Sequence, residues 1–97
     1  GGSGESKSPA KSPAEVEKEV RRLERKREDV TGSLEAHEAR LAEIDAAFCE
    51  EGFYDRTTPD EVSRLEVERL DTQKTVEQEM ERWSDIEARL ETLSSSA

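Results

Sequence analysis

Five of the seven residues from Arg21 to Arg27 are basic: Arg21, Arg22, Arg25, Lys26 and Arg27. Guanidinium and ammonium groups at that density suit one kind of chemistry, contact with the phosphates of DNA or RNA. Glu17, Glu19, Glu24, Glu28 and Asp29 dilute the patch. The bland alternative is an ordinary solvated helix face, paired with Glu24, Glu28 and Glu87. Ahead of the patch, Lys7 and Lys11 make a polar leading segment mildly basic. The candidate nucleic-acid-binding set is therefore Arg21, Arg22, Arg25, Lys26, Lys7 and Lys11.

Other residue types offer less. His37 has no cysteine or second histidine at ligand spacing, so it reads as a polar residue bonded across a helix pair, not a metal ligand or pH switch. Cys49 has no histidine partner in reach and reads as a helix-end spectator. The tip aromatics Phe53 and Tyr54 either insert into a partner or fold back over the end of the seam. The carboxylates scatter over outer helix faces and line no pocket. No glycine-rich phosphate loop or hydrolase signature is present. The sequence predicts no catalytic residue, no cofactor and no metal in this chain.

Composition bounds the rest. The charged fraction is 41%, the hydrophobic fraction 31% and the formal charge −10. So few apolar side chains cannot fill a thick core, but they can fill a narrow seam between two helices. A charge of this sign repels nucleic acid over most of the surface, so any contact needs a local basic patch. One cysteine cannot close an intrachain disulfide, which fits a reducing compartment. No apolar run reaches membrane-spanning length and no secretory signal is visible, so a cytoplasmic location is expected, with no membrane partner.

The elements that must position the basic patch are marked clearly. Residues 1–12, GGSGESKSPAKS, read as a flexible linker. The opening Gly1-Gly2-Ser3-Gly4 reads as the start of a piece cut from a longer chain. Ser12-Pro13-Ala14-Glu15 is a capping box with proline at the first helical position. From there Val16, Val20, Leu23, Arg27, Val30, Leu34, His37, Leu41, Ile44 and Phe48 follow steps of four and three, the period of a left-handed coiled coil. Gly32 is the expected kink, and Gly52 the expected left-handed stop after Glu51.

Thr58-Pro59-Asp60-Glu61 is a second capping box. Its seam reads Val62, Leu65, Arg69, Thr72 or Gln73, Val76, Met80, Trp83, Ile86, Leu90 and Leu93, with Val67 and Leu70 off it. The expected architecture is all-α: a flexible linker, then an antiparallel two-helix coiled coil over 13–94 with helices at 13–51 and 59–93. Setting Phe48 against Val62 places Leu34 opposite Val76, Val30 opposite Met80, Arg27 opposite Trp83, Val20 opposite Leu90 and His37 opposite Thr72 or Gln73. Arg27 is expected to lie flat on the Trp83 ring, its charge near Glu24 or Glu87.

From Leu41 to Leu90 the chain resembles the C-terminal coiled-coil domain of ABC-F ATPases, especially the Uup branch. The residues that carry this are Leu41 to Phe48, Gly52-Phe53-Tyr54 and Thr58 to Val62. The most distinctive is Met80-Glu81-Arg82-Trp83-Ser84-Asp85-Ile86-Glu87, similar to the family's aromatic-x-Arg-Trp run. The resemblance implies a non-catalytic accessory domain whose parent binds ATP and Mg in tandem cassettes and acts on ribosomes. It also implies contact with DNA or ribosomal RNA. A second resemblance, in Glu50 to Phe53 and Pro59 to Val62, is to the tRNA-contacting C-terminal arm of valyl-tRNA synthetase. A third reading is a protein-interaction or spacer hairpin.

Overall fold

The computed structural model describes residues 12–95. Lys7 and Lys11 lie outside the described residues. Helix α1 spans Pro13–Cys49, a single helical turn α2 spans Phe53–Arg56, and α3 spans Pro59–Ser95. The two long helices pack against each other as an antiparallel hairpin, each about 55 Å long at 1.5 Å per residue.

Both helix starts are capped where their residues predict, the first by a full capping box and the second by the hydroxyl bond alone among the described residues. The Ser12 hydroxyl accepts from the Glu15 N–H at 3.2 Å, and the Ser12 N–H donates back to the Glu15 carboxylate at 3.3 Å. These two bonds satisfy orphan donors that would otherwise face only water. At α3 the Thr58 hydroxyl accepts from the Glu61 N–H at 3.2 Å. The helix ends fall elsewhere than expected: α1 stops at Cys49, two residues early, and α3 runs on to Ser95. The early stop comes from the tip. Phe53 is buried and packs edge-on against Phe48, ring centroids 5.4 Å apart, which draws the chain out of α1 and into α2. Gly52 does adopt the left-handed conformation (φ 79°), but as the residue leading into α2. Of the two tip aromatics, Phe53 folds back over the seam, while Tyr54 stays 63% exposed. Arg56 ties the turn down by donating to the Glu50 carboxylate at 2.6 Å and the Glu51 carbonyl at 3.2 Å.

The core is a single seam. Leu23, Val30, Ile86 and Leu93 form its buried cluster, with Val20, Leu34 and Leu90 packed on it. Ile44, nearer the tip, is the most enclosed side chain among the described residues. α1 runs unbroken through Gly32, which faces open space. Val67 and Leu70 lie off the seam and exposed, where their spacing puts them.

One seam position differs from the expectation. Met80 is 55% exposed, and Glu79 takes its place with only 15% of its side chain exposed. The geometry requires it: three residues on from Val76 and four before Trp83 is position 79, and only that step keeps the alternation of threes and fours. Hydrophobicity favours Met80, but helix phase decides.

Candidate nucleic-acid interface

Ion pairs between α1 and α3 flank the seam and set the register. Arg40 grips Glu68 through Nε and Nη2, at 2.6 and 2.9 Å. Asp45 accepts from Arg69 at 2.7 Å, and Glu19 meets Arg89 at 3.9 Å. All fit the pairing in which Leu34 stands opposite Val76. Near the middle, Glu79 accepts from the Ser33 hydroxyl at 2.9 Å and sits 3.5 Å from His37 Nε2. His37 thus approaches α3 at Glu79 and not at Thr72 or Gln73.

Arg40 leaves a titration signature. Its hydrogen bonds hold the Glu68 carboxyl below the ordinary value, and those to Glu68 and Glu43 raise its own pKa further. A carboxyl depressed by folding contributes stability above its unfolded pKa of about 4.3, and loses it as pH falls through the folded value. Glu68→Gln is therefore expected to lower the melting temperature at pH 7. The gap to the parent protein should close as the pH falls below about 4. Melting curves across that range check the sign.

Arg27 departs from the stacked arrangement. Its Nη1 donates to Glu87 at 2.5 Å, while Trp83 is left 38% exposed and no stacking joins the two among the described residues. The carboxylate one turn further along α3 wins because a charge-assisted hydrogen bond outweighs a half-solvated ring face.

The basic patch divides in two. Arg22 donates to Glu19 at 2.9 and 3.1 Å, and Arg27 is held by Glu87. Arg21, Arg25 and Lys26 are exposed and, among the described residues, carry no ion pair. Arg21 and Arg25, four apart, share one outer face of α1, and Lys26 lies beside the seam. The structure adds Arg82 from α3, also without an ion pair, which lines a shallow groove with Lys26, Asp29 and Val30. No spacing within α1 reveals Arg82, since it joins the patch only through the register. Arg64 and Lys74 likewise hold no ion pair among the described residues, but each stands alone among acids.

Charge is unevenly distributed along the hairpin. Residues 31–80, the tip half, hold five basic and fourteen acidic residues, net −9. The open end, residues 13–30 and 81–95, holds eight and ten, net −2. Repulsion of polyanions is thus concentrated at the tip, and Arg21, Arg25, Lys26 and Arg82 stand where it is weakest.

Among the described residues no cluster of three or more His, Cys, Asp or Glu is placed to hold a metal ion. No helix among them is long and apolar enough to cross a membrane. Cys49 is exposed at the end of α1. The chain matches no family model, no curated protein and no solved structure.

Proposed function

We propose that this hairpin is a non-catalytic accessory arm of a cytoplasmic ABC-F ATP-binding protein, and that its open end contacts the phosphate backbone of DNA or of ribosomal RNA. ATP and Mg belong to the cassettes of the parent chain. The observation that carries the contact is the segregation of charge, with Arg21, Arg25, Lys26 and Arg82 unpaired at the nearly neutral end. The Arg82-Trp83 run supports the family. The contact is electrostatic, so it steers and holds the arm without reading bases.

The test is a titration with duplex DNA, tRNA, structured ribosomal RNA and ribosomes between about 50 and 200 mM salt. The expected result is weak binding whose affinity falls steeply with salt. Preference for tRNA points to the synthetase arm, and preference for ribosomes to the ABC-F arm. A protein-docking hairpin is the second reading, favoured by Val67 and Leu70, which are 57% and 64% exposed on the outer face of α3. Absence of binding to all four nucleic-acid probes at low salt leaves that reading in place.

A further inference from the structure

One flank of the seam carries a ladder of facing residues, seven apart on each helix. Glu19 faces Arg89 and, three heptads on, Arg40 faces Glu68. The rungs between them are fixed by the same step: Lys26 with Arg82, then Ser33 with Thr75. The outer two rungs are complementary and the Ser33 rung is neutral. The Lys26 rung sets two cations against each other, and neither has an ion-pair partner among the described residues. Like charges facing across a helix pair oppose its formation. The shallow groove at this rung is lined by Lys26, Asp29, Val30 and Arg82.

We infer that Lys26 and Arg82 form a two-sided clamp for one phosphate group of a nucleic-acid backbone. The inference rests on the reading of the open end as a phosphate-contacting surface and gives that reading a centre. A phosphate oxyanion between the two cations replaces their repulsion with charge-assisted hydrogen bonds from both helices. The roles differ by chemistry: Arg82 offers a planar fork for two oxygens, and Lys26 a compact charge on a flexible stem. Asp29 leaves the groove with a net charge of one, enough for a single phosphodiester and too little to hold free phosphate tightly. Arg21 and Arg25, on the neighbouring face, extend the contact along the backbone.

The experiment uses the full chain, its Arg82→Gln and Arg82→Glu variants, and two probes, inorganic phosphate and a short DNA duplex. Inorganic phosphate, added at constant ionic strength against chloride, is expected to shift the Arg82 side-chain Nε–Hε and Lys26 amide resonances together. Arg82→Gln should abolish the Lys26 shift and reduce the duplex salt slope by about 1. Arg82→Glu should raise the melting temperature without phosphate, because its carboxylate pairs with Lys26, and should weaken the duplex further. A phosphate response with no duplex binding removes the nucleic-acid reading and overturns the clamp as a contact for a nucleic-acid backbone. Duplex binding with the same affinity and slope in Arg82→Gln overturns the clamp and leaves that reading standing. Equal effects of phosphate and chloride on Lys26 and Arg82 also overturn it.

Discussion

Replacing Ile44 with alanine is expected to lower the unfolding free energy of the hairpin by about 3 kcal/mol. Ile44 is 1% exposed, the most enclosed side chain among the described residues. In the register set by the ion pairs it stands opposite Leu65. Two helices have no further layer that could move in to fill the space left by three carbons. The substitution therefore loses both the transfer energy and the packing around the cavity. A chain of this size has a total stability of roughly 4–13 kcal/mol, so such a loss is a large share. Urea unfolding followed by circular dichroism measures it. Trp83→Ala should cost less than Ile44→Ala, since the indole is 38% exposed. The reverse order would place the tight part of the seam at the open end.

Replacing Glu79 with leucine is expected to raise stability, by about 1–2 kcal/mol. Glu79 occupies a seam position with 15% of its side chain exposed. A carboxylate held there gives up hydration for one hydroxyl donor, Ser33, and one contact with His37. Leucine at the same position completes the alternation between Val76 and Trp83. Ser33 and His37 are only half-buried, so water can take over the lost Ser33 bond and the His37 contact. Met80→Leu, on the exposed side of the same turn, should change little. Thermal melts of the two variants separate the positions. A gain from Met80→Leu and a loss from Glu79→Leu would restore Met80 to the seam.

Much of this fold is legible in the residues themselves. Ser12-Pro13 and Thr58-Pro59 mark the helix starts because capping is local chemistry, decided within four residues. The seam of α1 is readable because its steps are regular and its polar members, Arg27 and His37, are few. The end of α1 is not readable from Gly52 alone. It depends on Phe53 turning back against Phe48, a contact between residues on two elements. Glu79 is missed because side-chain polarity argues against its phase. Glu87 is one of the two carboxylates expected near the Arg27 charge, but the loss of the Trp83 stack is not legible, because only the packed geometry chooses between ring and carboxylate. Of the interface, Arg21, Arg25 and Lys26 are visible as a run, whereas Arg82 lies over fifty residues away in sequence and needs the register to reach them. That Arg22 and Arg27 spend their charge on Glu19 and Glu87 is likewise a matter of side-chain placement.

The claim that the open end binds phosphate backbones is tested most directly by charge reversal. The measurement is duplex DNA and structured RNA affinity for the parent chain and for the triple variant Arg21→Glu, Arg25→Glu, Lys26→Glu, at about 50 mM salt and again at about 200 mM. None of the three residues holds an ion pair among the described residues, so the variant should keep its helical content. The account predicts salt-sensitive binding by the parent, with a log–log slope of about −3 to −4, and none by the variant. Equal affinity of a folded variant and its parent for either nucleic acid would contradict it.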